Sequence, residues 1–270
     1  MGDFAFSIAG LFVGVIVGAT GVGGGSLMTP LLILVFQTPA SMAVGTDLLY
    51  AAITKAFGTW HHGKRGSVDW RVVGLLATGS LPATLLTLLA LNWAGIDEDM
   101  ERLMTMVLCI TIGATAMLTL FRDRLRIAAE HESLQFVKTA HRLYRSQLTI
   151  ASGVLLGVLV TLTSVGGGVI GTVILLVLYP RWPAIRIVGT DLAHAVPLTA
   201  VAGIGHYAML GTVNVGMLGY LLLGSIPGIY IGTRLGFRLP DKALRGAIAV
   251  LLLFIVSSLF IKSAYAQLAG

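Results

Sequence analysis

Ten apolar runs, separated by charged residues and by glycine or proline breaks, cover most of the 270-residue chain. Most of them have the roughly 20 residues that a helix needs to cross the ~30 Å hydrocarbon core of a bilayer. The pattern therefore predicts an all-α polytopic membrane protein. The predicted segments are 4–20, 26–37, 41–60, 70–92, 103–121, 147–163, 169–180, 186–206, 212–233 and 243–261.

The composition excludes a soluble domain. Charged residues make up 11% of the chain, against roughly 25% in soluble proteins, and the mean hydropathy is +0.90. The net charge of +6 does not indicate nucleic-acid binding, because the basic residues lie in short gaps between apolar runs rather than on one face. The single cysteine, Cys109, lies within an apolar run, so neither a disulfide framework nor a cysteine-based metal site is predicted.

The second half of the sequence repeats the first. Three motifs recur in the same order at an offset of 143 to 145 residues: TGVGGG and TSVGGG at 20–25 and 163–168, VGTDL at 44–48 and 188–192, and GSLP and GSIP at 79–82 and 224–227. Such colinear self-similarity is the signature of duplicated structural units. We expect two transmembrane repeats, 1–121 and 147–270, joined by a basic cytoplasmic connector at 122–146 that is helical and lies in water.

The loop charges predict the orientation of the two repeats. Cytoplasmic loops carry an excess of lysine and arginine, so the basic loop 61–71 is predicted inside and the acidic loop 93–102 outside. In the second copy the loop matching 61–71 has no charge, while the loops 180–186 and 234–245 are basic and predicted inside. The sequence therefore predicts two inverted repeats of five segments each, with both chain termini external. Basic residues left outside the cytoplasmic loops are Lys55, Arg102 and Lys262.

Two segments, 26–37 and 169–180, are too short to span the membrane, and each follows a glycine triplet. We expect two helical hairpins whose tips are buried in the bilayer, with helix N–H groups and the helix dipole directed at an anion. Alternatively, the triplets only allow helices to cross closely. The predicted substrate-binding residues are Gly23, Gly24, Gly25, Ser26, Gly166, Gly167, Gly168, Thr46 and Thr190.

Two aspartates, Asp47 and Asp191, occupy matching positions after Gly-Thr. They are interpreted either as helix N-caps or as carboxylates of the transport pathway that carry protons. His194 lies one helical turn after Asp191, where it either shuttles protons or is a hydrogen-bonded core histidine. Lys55 either pairs with Asp47, neutralises a bound anion or extends toward the cytoplasmic end of its helix.

Three further polar residues stand out: Ser26 and Thr29 have two interpretations each, and His206 has one. Ser26 and Thr29 follow the first triplet, where their hydroxyls either bind ligand oxygens or bond back to their own helix. His206 ends a predicted segment, so we expect it at the membrane interface.

Two other functions compete with anion transport. A cation or metal carrier would use Asp47, Asp191 and His194, and an intramembrane hydrolase would use Ser26 or Ser80 with a histidine base. The sequence does not suggest a serine–histidine pair that occurs in both copies. No catalytic residue, metal ligand set or cofactor is therefore predicted.

The stretches TGVGGGSLMTPLL and VGTDLLYAAITK, with SVGGG and VGTDL in the second half, resemble the TauE/SafE sulfite exporter family, also called the toluene sulfonate uptake permease family. The resemblance implies transport of sulfite, sulfonates or related sulfur-containing anions across a bacterial cytoplasmic membrane, with export as the direction. It implies a small-molecule anion and the lipid bilayer as partners, and it leaves open whether the protein is a homo-oligomer. The copies differ at Pro30, which matches Val173, and at Gly21, which matches Ser164, so an asymmetric site is predicted.

Overall fold

The computed structural model describes residues 2–20, 25–64, 66–130, 135–236, 246 and 248–259. Within these ranges the chain is helical with no β-strand, which confirms the predicted all-α class. Each of the ten predicted segments corresponds to a helix. The helices are α1 (Gly2–Thr20), α2 (Gly25–Leu34), α3 (Ala40–Lys64), α4 (Trp70–Ala94), α5 (Glu98–Glu130), α6 (Gln135–Thr163), α7 (Val169–Leu178), α8 (Ala184–Gly205), α9 (Val215–Gly236) and α10 (Ile248–Leu259).

Five of these helices are long and apolar enough to cross a membrane: α4, α5 to Phe121, α6 from Tyr144, α8 with its π-helical extension to Leu210, and α9 to Leu235. Their outward faces carry large apolar side chains, such as Leu86, Ile110 and Leu223, which are each about two-thirds exposed. A soluble protein would bury such surface, whereas lipid solvates it. The chain is therefore a multi-pass membrane protein.

The two helices that follow the glycine triplets are short. α2 and α7 each have 10 residues, which is about 15 Å of helix and half the thickness of the hydrocarbon core. The predicted basic connector is helical on both sides of 131–134, because α5 continues to Glu130 and α6 begins at Gln135.

Two helix pairs have matching contacts in the two copies. α1 packs along α9, and α4 packs along α6. A β-carbon placed on Gly10 of α1 would lie 2.2 Å from the Leu221 carbonyl oxygen of α9, and one placed on Gly153 of α6 would lie 2.2 Å from the Leu76 carbonyl oxygen of α4. Gly153 matches Gly10, and Leu221 matches Leu76, at the offsets of the sequence repeat. The same backbone contact is thus made by each copy against the other.

The helices α3 and α8, which carry the VGTDL motifs, pack against each other in antiparallel orientation. Gly203 of α8 lies against Leu49 of α3, and Gly45, earlier in α3, lies against His206, later along the chain. Because α3 and α8 occupy matching places in the two copies, the two copies meet along this central pair.

The loops gather at two separate ends of the bundle. At one end, both the backbone N–H and the hydroxyl of Ser41 donate to the Glu101 carboxylate, which brings the starts of α3 and α5 together. At the other end, Arg186 forms an ion pair with Asp69 at 2.5 Å, which joins the loops that precede α4 and α8.

Candidate functional site

The two VGTDL aspartates lie inside their helices and are fully buried. α3 begins at Ala40 and α8 at Ala184, so Asp47 and Asp191 are each about two turns from the helix start. Their exposed fractions are 0% and 2%. The N-cap interpretation is therefore wrong, because an N-cap precedes the first helical turn.

In the first copy Asp47 faces the short helix α2. The Thr29 hydroxyl donates to Asp47 Oδ2 at 2.5 Å, so Thr29 does not bond back to its own helix. Asp47 Oδ1 and the buried hydroxyl of Ser26 have no hydrogen-bond partner within the described ranges. Ser164 from the second copy lies near the same carboxylate, outside hydrogen-bond geometry. A ligand or a water molecule would satisfy buried polar atoms that lack a hydrogen-bond partner.

In the second copy the backbone between α6 and α7 is irregular. Ser164, Gly166 and Gly168 have φ angles of +58°, +132° and +154°, and glycine adopts such values without the strain that a side chain brings. Gly168 caps α7 without any side-chain hydrogen bond. The triplet therefore unwinds the chain, and Gly168 has no side chain that could cap the start of α7.

Asp191 faces this second tip. A β-carbon placed on Gly171, in the first turn of α7, would lie 1.9 Å from Asp191 Oδ1. Only glycine leaves room for the carboxylate at that point. Each aspartate thus lies against the short helix of its own copy.

Lys55 connects the two halves of the site. Its ammonium nitrogen donates to the Gly167 carbonyl oxygen at 2.6 Å, and the residue is 4% exposed. The acidic groups whose charges act on it are Asp191 and Asp47. The side chain therefore ends at the glycine tip of the opposite copy and does not extend to the end of α3.

Two buried hydrogen bonds join the copies at matching positions. The Tyr50 hydroxyl bonds to the Ser225 hydroxyl at 2.7 Å, and the Ser80 hydroxyl bonds to His194 Nε2 at 2.8 Å. Tyr50 matches His194 in the repeat, and Ser80 matches Ser225.

Sequence analysis missed these bonds because the partners are 175 and 114 residues apart. The signal was present in the matched registers of VGTDL and GS(L/I)P. A serine nucleophile needs a base held by a third group, but His194 Nδ1 has no partner among the described residues. Tyr50 with Ser225 fills the equivalent place in the other copy. The arrangement joins helices and does not form a catalytic pair.

The VGTDL threonines brace loops. Thr46 Oγ1 accepts the Asn214 N–H at 3.1 Å, and Thr190 Oγ1 accepts the Asp69 N–H at 3.0 Å. The Thr46 side chain, on α3, thus contacts the residue before α9, and the Thr190 side chain, on α8, contacts the residue before α4. Their role in substrate binding stays a prediction.

Of the three glycines predicted for the first tip, the structure describes one. Gly23 and Gly24 lie outside the described residues, and Gly25 is the first residue of α2. The described part of the chain contains no group of three or more His, Cys, Asp or Glu that could hold a metal ion.

His206 is fully buried within the protein, so its ring does not face the surface, and its place at the membrane interface stays a prediction. Its Nδ1 bonds to the Thr212 hydroxyl at 2.8 Å, and its Nε2 bonds to the Thr161 carbonyl oxygen at 3.0 Å. The π-helical turn that begins at His206 places the ring between two helices rather than at the surface.

Comparison with known proteins assigns the chain to a family. The family model described as sulfite exporter TauE/SafE matches residues 6–259. The "Probable membrane transporter protein YjnA" of Bacillus subtilis (strain 168) is 38% identical over 91% of this chain and 95% of its own length. The "Probable membrane transporter protein MJ0441" of Methanocaldococcus jannaschii is 25% identical over 87% of this chain and 85% of its own length. No solved structure matches. The chain belongs to the TauE/SafE sulfite exporter family and is a membrane transporter rather than an enzyme.

Proposed function

We propose that the protein is a secondary transporter that exports sulfite or a related sulfur-containing anion, such as a sulfonate, across a bacterial inner membrane. The family's description supports the substrate class and the direction. The anion binds near the middle of the membrane, between the two glycine tips, and its movement is coupled to protons.

Several contacts support two inverted repeats. The matching helices α3 and α8 run antiparallel, and α1 with α9 repeats the contacts of α6 with α4. The cytoplasmic loops predicted from charge also lie together, since Asp69 and Arg186 form an ion pair. In this arrangement both termini are external, and the glycine hairpins enter from opposite sides.

The observation that carries the anion site is the unwound tip of α7 with the Lys55 ammonium beside it. The first N–H groups of a helix carry a partial positive charge, and glycine allows a ligand to approach the backbone. Lys55 adds a full positive charge at Gly167. Sulfite is a compact oxyanion that suits several such donors at once.

Charge balance supports proton coupling. With both carboxylates ionised and Lys55 protonated, the cluster of Asp47, Asp191 and Lys55 has a formal charge of −1, which repels an anion. One proton taken up by a carboxylate makes the cluster neutral. His194 lies one turn from Asp191 and provides a proton relay whose Nδ1 has no partner within the described ranges.

The test is equilibrium binding of labelled sulfite to the purified transporter and to Gly167→Leu. A β-carbon at Gly167 lies 3.1 Å from Ala195 and 3.4 Å from Lys55 Nζ, so leucine fills the space at the tip. We expect roughly tenfold weaker binding or worse, since overpacking costs about 1–3 kcal/mol. Gly219→Leu is the control, because nothing lies within 4 Å of a β-carbon there. Unchanged affinity in Gly167→Leu would remove the tip from the site.

The alternative function, a cation or metal carrier that uses Asp47, Asp191 and His194, has less support. The Lys55 ammonium already provides a positive charge to both aspartates, and His194 Nε2 is engaged by Ser80. Binding of a divalent metal ion that is lost in Asp47→Asn, together with indifference to sulfite, would favour that function instead.

A further inference from the structure

We propose that the Lys55 ammonium is a tethered cation that occupies the place of a free monovalent coupling ion, so that transport does not require sodium. The inference rests on the proposed function, in which Lys55 lies at the substrate site. It adds which cation that site responds to.

The surroundings of the ammonium are those of a small-cation site. Lys55 Nζ lies 2.6 Å from the carbonyl oxygen of Gly167, in the stretch where the backbone is unwound. The carboxylates of Asp191 and Asp47 act on the same charge. In membrane transporters with broken helices, unwound carbonyl groups and carboxylates are the ligands that bind sodium. A lysine ammonium is a compact charge with three donors, which suits the same oxygens.

The repeat shows that this charge is present once. The residue that matches Lys55 in the second copy is Thr199, whose hydroxyl bonds back to the Ala195 carbonyl oxygen at 2.8 Å. Lys55 therefore supplies positive charge to two buried carboxylates, one from each copy. Removal of the ammonium would leave the carbonyl and both carboxylates in place and take away the charge that Lys55 supplies.

A further hydroxyl lies near one of these carboxylates. Ser164, which is 1% exposed, lies near Asp47, and its hydroxyl has no partner among the described residues. Hydroxyl oxygens are hard ligands of the kind that small cations accept. Removal of the Lys55 side chain would leave the Gly167 carbonyl oxygen facing the vacated space.

The experiment compares the full-length wild type with Lys55→Ala, both purified in sodium. Exchange of labelled sulfite is measured in liposomes at equal pH on both sides, in sodium or in choline. We expect the wild-type flux to be the same in both salts. The Lys55→Ala flux should be roughly tenfold lower in choline than in sodium, because sodium, unlike the bulky choline, can restore the missing charge. Propylammonium, which replaces the removed atoms, should rescue it as well.

A second readout does not depend on sulfite. Thermal unfolding of Lys55→Ala should shift upward by several degrees when sodium replaces choline, while the wild-type Tm should not change, since an ion that binds only the folded state stabilises it. Arg186→Ala, which removes a cation from an exposed ion pair, is the control and should show no sodium effect.

The outcomes separate the two proposals. Absence of sulfite flux in the wild type with a sodium-dependent Tm in Lys55→Ala would overturn the substrate and uphold the tethered cation. A sodium requirement for wild-type flux or stability would overturn the tethered cation, whether or not the variant folds. Lys55→Ala with flux and Tm indifferent to sodium and to propylammonium would overturn it as well.

Discussion

The two copies of the repeat agree in the contacts that hold the helices together and differ in the side chains that meet at the centre. The hydrogen bonds Tyr50–Ser225 and His194–Ser80 occupy the same place, yet only the second includes an imidazole, a group that can accept and release a proton. Lys55 likewise has the neutral Thr199 as its counterpart.

This difference separates the roles of the two sets of residues. Contacts between glycine and backbone must be the same in both copies, because each copy packs against the other. Charged groups at the centre are free of that constraint, since the proposed function needs only one set of groups for its anion and its proton. The repeat thus specifies the scaffold, and the departures from it indicate where chemistry takes place.

The largest effect is expected from breaking the shared scaffold. A β-carbon at Gly79 would lie 2.0 Å from the Ile150 carbonyl oxygen, and one at Gly224 would lie 1.8 Å from the Ser7 carbonyl oxygen. Gly79→Ala and Gly224→Ala should each cost about 3 kcal/mol or more, because whole helices must move apart. The yield of folded protein in detergent and its unfolding free energy are the measurements.

Matched controls exist in the same two helices. Gly74 and Gly219 also correspond in the repeat, and nothing lies within 4 Å of a β-carbon at either one. Gly74→Ala and Gly219→Ala should leave folding unchanged or slightly improved. A large loss at Gly79 with none at Gly224 would contradict the equivalence of the two contacts.

The next effect comes from removing the Lys55 ammonium. Lys55→Met should lower the unfolding free energy by about 3–5 kcal/mol, because two buried carboxylates lose the positive charge that Lys55 supplies. Adding Asp191→Asn to the same chain should recover part of the loss. Chemical denaturation of the single and double variants in sodium-free buffer measures this coupling. Additive effects of the two substitutions would show that Lys55 and Asp191 do not interact.

A smaller effect distinguishes the two buried hydrogen bonds. Tyr50→Phe should cost about 1 kcal/mol at every pH between 5 and 8, because it deletes one neutral hydrogen bond. His194→Gln keeps a hydrogen-bonding side chain beside Ser80 but removes the titrating group. It should therefore alter the pH profile of sulfite flux, whereas Tyr50→Phe should not. Identical pH profiles for both variants would end the assignment of proton transfer to His194.

The smallest effect concerns the loops before α4 and α9. Asp69 accepts the Val72 N–H at 3.2 Å, and Asn214 accepts the Met217 N–H at 3.0 Å, so both cap the following helix. Asp69→Asn should retain the cap and lose only the exposed ion pair with Arg186, which costs about 1 kcal/mol or less. Asp69→Ala should cost about 1 kcal/mol more. Thermal unfolding compares them, and equal losses in the two variants would argue against the cap.

Sequence alone predicted the helices and the short pair after the triplets, because apolar run length and glycine breaks are local signals. It could not predict which groups meet across the two copies. The reach of Lys55 to Gly167 spans 112 residues, and the depth of Asp47 in α3 depends on where that helix begins. The burial of the His206 ring could not be predicted either, because its partners Thr161 and Thr212 are identified only by the fold.

The most direct test of the account is the flux of labelled sulfite into and out of liposomes that contain the purified protein, with and without an imposed pH gradient. We expect saturable flux that other sulfur oxyanions compete with, that responds to the gradient in the wild type, and that loses this response in Asp191→Asn but not in the exposed control Asp99→Asn. Absence of sulfite flux, with transport of divalent cations instead, would contradict the account.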